Sequence, residues 1–159
     1  NSQQQDNFQR DVEESKILMV SGHHYGAGRE DRDRNIIFGN LGEISLNSLP
    51  SSNKVEVVAF SSCSTSRDYV MDTLRTKYPN LKAVVTWEGH APADDGWLWE
   101  KVIPDLHRAV STGDYKDVRT LATERGDVGN QYGKRWHLST YVKDQERWKK
   151  CSSVTKMCG

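Results

Sequence analysis

Residues 17–24 read ILMVSGHH and residues 55–63 read VEVVAFSSC, and these two stretches decide the fold. Each is an apolar run that is too short for an ordinary helix and rich in β-branched or large side chains, which is typical of a strand buried in a parallel sheet. The first ends in His23 and His24 and the second in Cys63. Sites in open α/β sheets lie at the carboxyl ends of strands, so neighbouring strands here would bring imidazole and thiol to one crevice.

The residues after Cys63 predict a helix that begins close to the thiol. Residues 64–68 read STSRD, a cluster of helix-capping residue types, and apolar side chains then recur with helical spacing. A helix N-terminus favours thiolate over thiol, and an adjacent imidazole can deprotonate the same group. The pattern therefore predicts a nucleophile for covalent catalysis. The alternative is that Cys63 is a small buried hydrophobe, the usual state of cysteine in a core.

Residues 16–111 resemble the caspase-like cysteine peptidases, the group that includes metacaspases, separases, legumains and CHAT domains. In that group one strand ends in Ser-Gly-His and the next strand of the sheet ends in the nucleophilic cysteine, followed by small residues. Residues 21–23 (SGH) and 62–65 (SCST) fit these motifs, and a further strand at residues 81–87 (LKAVVTW) follows the helix in the same order. The resemblance implies an α/β fold, a three-layer αβα sandwich with a mostly parallel central sheet.

The same resemblance implies a cysteine endopeptidase that cleaves peptide bonds through a thioester acyl-enzyme, with no cofactor. Cys63 would attack the peptide carbonyl, His23 or His24 would handle the proton, and backbone N–H groups at Gly22 and Cys63 would stabilise the oxyanion. His23 fits the Ser-Gly-His motif better. The family usually has glycine directly after that histidine, whereas this chain has His24, so both imidazoles stay open as the base.

The loop after the third strand is expected to form one wall of the substrate cleft. In the family this region recognises the residue before the scissile bond, and Glu88, Asp94 and Asp95 would favour a basic side chain there. The competing interpretation is that Asp94 or Asp95 caps the next helix, a position that strongly prefers aspartate.

Two other functions stay open. One is a catalytically inactive caspase-like domain that binds a protein partner, because Ser61 and Ser62 precede Cys63 where many active members carry an acidic residue or glutamine. The other is a metal site from His23, His24, Cys63, His90 and Asp94. No HExxH or CxxC spacing supports a metal, and adjacent strand residues point to opposite faces, so we predict none.

Composition bounds the remaining functions. A chain of 159 residues is expected to form one domain, here assigned to residues 16–142 between a polar segment at 1–15 and a charged tail at 143–159. Its 22 basic and 22 acidic side chains give no net field to attract nucleic acid, so nucleic-acid binding is not expected. The family resemblance implies a protein or peptide substrate as the partner. No apolar run approaches the roughly 20 residues that cross a bilayer, so no membrane insertion is predicted. The oligomeric state stays open.

The three cysteines and the first residue point to an oxidising compartment. Cys151 and Cys158 have a spacing that can close a small disulfide loop, which would leave Cys63 unpaired, although reduced tail cysteines fit equally well. The chain begins with Asn1 instead of Met, so we expect that a leader or a larger precursor has been removed. A secreted or periplasmic location is therefore predicted, with a cytoplasmic fragment of a larger protein as the alternative.

The rest of the sequence predicts the elements around the site. Residues 36–38 and 43–46 read as a hairpin, followed by a short helix at 46–49. Apolar spacing predicts helices over 98–110, kinked or restarted at Pro104, and over 114–125, ended by Gly126. Residues 136–142 alternate as a final strand would, and the charged residues 143–150 predict a surface helix or tail.

Overall fold

The computed structural model describes residues 15–24, 35–39, 42–92, 96–129 and 135–159. The protein has a mixed α/β fold in which a mixed central sheet carries most of the core. The strands are β1 Ile17–Ser21, β2 Ile36–Gly39, β3 Gly42–Ser45, β4 Val57–Ser61, β5 Ala83–Trp87, β6 Asp127–Gly129, β7 Arg135–Asp144, β8 Arg147–Ser152 and β9 Met157–Cys158. The α-helices are α1 Asp68–Lys77, α2 Ile103–Thr112 and α3 Lys116–Arg125.

The central sheet joins a parallel half to an antiparallel half. Its strand order is β1-β4-β5-β7-β8-β9, with β6 paired to β7. Strands β1, β4 and β5 are parallel, and the pairs from β5 to β9 are antiparallel. The register sets Ser21 of β1 opposite Ser61 of β4. The predicted adjacency of the histidine strand and the cysteine strand is thus confirmed, and both strands end at the same edge.

Burial explains why the three parallel strands are continuous apolar runs. Every side chain of β5 is buried, and β4 is buried from Val57 to Phe60, as expected where both faces of a sheet are covered. In β1 only Leu18 is buried, and within the described part of the chain this strand pairs with β4 alone. Cys63 therefore follows a buried strand, β4, that has the buried β5 on one side and the more exposed β1 on the other.

The helices follow the predicted apolar stripes. Helix α1 buries Val70, Met71 and Leu74. The segment predicted over 98–110 begins as a π-helical turn, Leu98–Val102, and restarts as α2 with Pro104 in its first turn, where the missing proline N–H would have no helical partner. Gly113 ends α2 with a φ of 78°, a left-handed conformation that glycine adopts without strain. The predicted hairpin is also confirmed, as β2 and β3, and is followed by a short 3₁₀ helix, Leu46–Ser48.

The C-terminal segment departs from the prediction. Residues 143–159, expected to be a charged tail or surface helix, instead extend β7 and form β8 and β9. Strand β8 reads RWKKCS, and its basic residues remain partly exposed while Cys151 and Ser152 are buried. Lysine stems can cover a sheet while their charged ends stay in water, which is why a charged run can still be a strand. A disulfide joins Cys151 of β8 to Cys158 of β9, and Cys63 is free.

The N-terminal segment at 1–15 lies outside the described residues apart from residue 15. Among the helices that the structure describes, none combines the length and apolar character that a membrane span requires.

Candidate active site

His24 lies against the main chain of Cys63. Its side chain is buried, with 3% of its surface exposed, and its Nδ1 atom is 2.8 Å from the carbonyl oxygen of Cys63. Because a carbonyl oxygen only accepts hydrogen bonds, Nδ1 carries the hydrogen in this pair and the basic lone pair is on Nε2. The contact therefore fixes both the position and the tautomer of an imidazole beside the cysteine.

The sequence favoured His23 as the base, but its side chain is exposed, and it is His24 that contacts Cys63. Gly22 lies between β1 and the two histidines, and its φ of 143° belongs to a region that side-chain-bearing residues rarely adopt.

Two groups from the loop after β5 contact the thiol of Cys63. The N–H of Ala91 donates to Sγ at 3.3 Å, and Nδ1 of His90 lies 3.9 Å from the same sulfur. The thiol is half-buried and the imidazole of His90 is exposed, so both can meet a molecule that arrives from solvent. Sequence reasoning considered His90 only as a metal ligand. Its position just beyond β5, at the edge shared with β4, was the signal that could have identified it.

The segment that follows Cys63 is hydrogen-bonded to the last residue of β5. Thr65 accepts a hydrogen bond from the N–H of Trp87 at 3.0 Å, and the N–H of Ser66 donates to the carbonyl of Trp87 at 3.1 Å. Helix α1 begins at Asp68, and its N-cap residue, Arg67, makes no side-chain cap bond. The prediction that the thiol lies directly before a helix N-terminus is therefore wrong, because residues 64–67 separate Cys63 from the helix. The amide that contacts the sulfur belongs to the loop after β5.

The amide of Gly22, expected in the oxyanion site, points elsewhere. Its N–H is directed to the carbonyl of Ser61 at 3.5 Å, the long limit for a hydrogen bond. This donor therefore extends the β1–β4 ladder by one weak bond. It can serve an oxyanion only after it leaves Ser61.

Glu88, predicted to bind substrate, is paired with the C-terminal strands. The hydroxyl of Ser139 on β7 donates to its carboxylate at 2.5 Å, and Nζ of Lys150 on β8 lies 2.8 Å away. Burial acts to raise the pKa of Glu88, but the hydrogen bonds from Lys150 and Ser139 outweigh burial and lower that pKa below its ordinary value. The negative charge of Glu88 is thus compensated within the sheet. Asp94 and Asp95 lie outside the described residues.

This pairing predicts a pH-dependent stability difference. Glu88→Gln is expected to be about 1 kcal/mol less stable than the wild type at pH 7, because a charged acceptor is lost from a half-buried pair. Since the folded-state pKa is lowered, the carboxylate stabilises the fold fully above the unfolded-state pKa of about 4.3 and loses this effect as the pH falls through the folded-state value. Urea unfolding at pH 7 and at pH 3 measures the difference, which should shrink at the lower pH.

Glu100 provides a matched control, because its carboxylate is 74% exposed and pairs only with the exposed Lys101 at 3.4 Å among the contacts described. Glu100→Gln should change stability by less than about 0.5 kcal/mol at either pH. A Glu88→Gln deficit that persisted unchanged at pH 3 would show that the effect is steric and unrelated to the carboxylate charge.

A buried tryptophan supports the two strands that carry the site. The indole N–H of Trp87 donates to the carbonyl of Phe60 at 2.8 Å, which links the last residue of β5 to β4, three residues before Cys63. Trp97 packs edge-on against Trp87 with ring centroids 5.9 Å apart. Trp97 therefore packs against the tryptophan that links the two strands.

The described residues contain no group of three or more His, Cys, Asp or Glu side chains that could hold a metal ion. Comparisons of the chain with protein-family models, with curated proteins and with solved structures gave no match.

Proposed function

We propose that this chain is a cysteine endopeptidase in which Cys63 is the nucleophile and His24 the general acid–base. One observation carries the proposal: a free thiol at the end of a parallel strand pair has an amide donor at 3.3 Å and an imidazole bound to its own carbonyl at 2.8 Å. A nucleophile, a base with a fixed tautomer and a supporting donor are the parts that acyl transfer requires.

The proposed reaction has two halves. The thiolate of Cys63 attacks the peptide carbonyl carbon, and the oxyanion is held by the N–H groups of Cys63 and of Gly22, which must first release Ser61. The thiol loses its proton to an adjacent imidazole before the attack, and Nε2 of His24 takes a proton from solvent. The tetrahedral intermediate expels the amine, which takes this Nε2 proton and leaves a thioester on Cys63. His24 then removes a proton from water, which hydrolyses the thioester and restores the thiol. No cofactor takes part in these steps.

The caspase-like three-layer fold belongs to this proposal. Two observations support it. Along the chain, the histidine strand is followed by the cysteine strand, a helix and the next parallel strand. In the sheet, these three strands are neighbours in the order β1-β4-β5. Because Lys150 compensates the charge of Glu88, a preference for basic residues before the scissile bond would depend on Asp94 and Asp95. The Cys151–Cys158 disulfide supports a secreted or periplasmic location, where such bonds persist.

Covalent labelling tests the proposal. A peptidyl fluoromethylketone should form a thioether with Cys63 in the wild type and should leave Cys63→Ala unlabelled, because the probe requires both substrate binding and an activated thiol. Peptide mapping by mass spectrometry locates the adduct. Equal labelling of the two proteins would contradict the assignment of Cys63 as nucleophile.

The second candidate is an inactive caspase-like domain that binds a protein partner. The direction of the Gly22 N–H toward Ser61 favours it, because the oxyanion site is then incomplete. In that case iodoacetamide would alkylate Cys63 at the rate of an ordinary thiol, and the peptidyl probe would not label it.

A further inference from the structure

The loop that follows β5 places a second imidazole, that of His90, next to the thiol of Cys63. This loop is separate from the strand that precedes His23 and His24. His90 Nδ1 and Cys63 Sγ are 3.9 Å apart, although 27 positions separate the two residues in the chain. Hydrogen bonds in catalytic sites are often long before substrate binds, so this distance suits a pair that exchanges a proton.

The backbone around the two residues fixes this contact. The N–H of Ser64 donates to the carbonyl of Gly89 at 2.7 Å. This hydrogen bond joins the residue after Cys63 to the residue before His90. Ser64 has a φ of 54°, a left-handed conformation that is uncommon outside glycine. Unfavourable backbone geometry persists where the surrounding structure imposes it, and such residues cluster at functional sites. The N–H of Ala91 then reaches the same sulfur from the other side of His90 in sequence.

We propose that His90 is the proton partner of the Cys63 thiol, while His24 serves the substrate. The proton passes from Sγ to Nδ1 of His90 and leaves a thiolate that receives hydrogen bonds from the imidazolium and from the N–H of Ala91. The inference rests on the proposed function, and it assigns to that site a second histidine from a different loop.

The hydrogen-bond pattern supports this division between the two histidines. Nδ1 of His24 is engaged by the carbonyl of Cys63, and the His24 ring is buried. His90 is exposed and directs Nδ1 at the sulfur itself. A thiol that loses its proton to His90 is already a nucleophile when substrate arrives. His24 does not have to accept that proton, so it can give the leaving amine a proton that its Nε2 has taken from solvent.

The alkylation rate of Cys63 by iodoacetamide tests the inference without any peptide substrate. Cys63 is the only free cysteine of the chain, since the other two form the disulfide, so the reagent reports one thiol. At pH 6.5 we expect His90→Ala to react about tenfold more slowly than the wild type, because an ordinary thiol holds only a small fraction of thiolate there. Its rate should rise steadily toward pH 8.5, whereas the wild-type rate should be nearly level.

Two matched variants sharpen the result. His107→Ala removes an exposed histidine from α2 and should leave the alkylation rate unchanged. His90→Asn places an amide N–H near the position of Nδ1 but cannot accept the proton, so it should restore less than half of the lost rate at pH 6.5. Circular dichroism and urea unfolding confirm that each variant is folded.

The outcomes separate this inference from the proposed function. Slower alkylation in His90→Ala supports the inference even if the wild type cleaves no peptide, a result that would contradict only the endopeptidase proposal. Unchanged alkylation in a folded His90→Ala variant overturns the inference, whether or not the wild type cleaves peptides. Full rescue by His90→Asn would also overturn it, because a hydrogen-bond donor alone would then account for the effect.

Discussion

His24→Ala is expected to lower kcat/KM for peptide hydrolysis by a factor of about 10² to 10⁴, the range over which a positioned acid–base group acts. His24 is buried and hydrogen-bonded to the main chain of Cys63, and its loss removes the group that we propose protonates the leaving amine. Initial-rate kinetics on a peptide that the wild type cleaves give the measurement, with Cys63→Ala as the baseline.

His23→Ala is the matched control for this prediction. His23 adjoins His24 in the chain, but its side chain is exposed, so kcat/KM should stay within about twofold of the wild type. The reverse pattern, a large loss in His23→Ala and little change in His24→Ala, would return the acid–base role to the histidine that best fits the Ser-Gly-His motif.

Trp87→Ala is expected to destabilise the fold by about 3–5 kcal/mol, the cost of removing a large aromatic side chain from a core. The Trp87 side chain is 1% exposed, and its indole N–H binds the carbonyl of Phe60. The substitution leaves a cavity and an unpaired carbonyl where β4 and β5 meet below the thiol. Urea unfolding followed by circular dichroism gives the change in the free energy of unfolding.

Two further tryptophan variants separate the contribution of packing from that of the hydrogen bond and compare a buried tryptophan with an exposed one. Trp87→Phe keeps most of the packing and loses the hydrogen bond, so it should cost about 1–3 kcal/mol. Trp99→Ala truncates a side chain that is 55% exposed and should change stability by less than about 0.5 kcal/mol. If Trp87→Ala and Trp99→Ala had equal effects, Trp87 would not be the support that this account assigns to it.

The parallel half of the fold could be predicted because its strands carry a strong local signal. Strands β4 and β5 are apolar runs that are buried on both faces. A strand with one face in solvent would alternate apolar and polar residues, so the sequence pattern separates the two cases. Strand β8 carries no such signal. Its burial depends on β7 and on the disulfide to β9, contacts that the local pattern of charge does not reveal. A run of basic residues next to a terminus therefore read as a tail.

The sequence predicts which strands carry the site, but it does not predict which side chains are in contact there. Cys63 and the pair His23 and His24 were placed at one sheet edge by the rule that parallel strands end together. It is His24 that contacts Cys63, and the sequence pattern does not specify which of the two histidines does so. The family resemblance assigns Glu88 to the substrate cleft, whereas its partner Lys150 lies in the segment that the sequence predicts to be a tail.

The most direct test of the central claim is the mass of the protein after incubation with a peptide ester, quenched in acid after milliseconds to seconds. Esters acylate thiols faster than amides do, so the acyl-enzyme accumulates. We predict that the wild type gains the mass of one acyl group, that the adduct maps to Cys63, and that it disappears as substrate is consumed. Turnover without an adduct at Cys63, or equal turnover by Cys63→Ala, would contradict the claim.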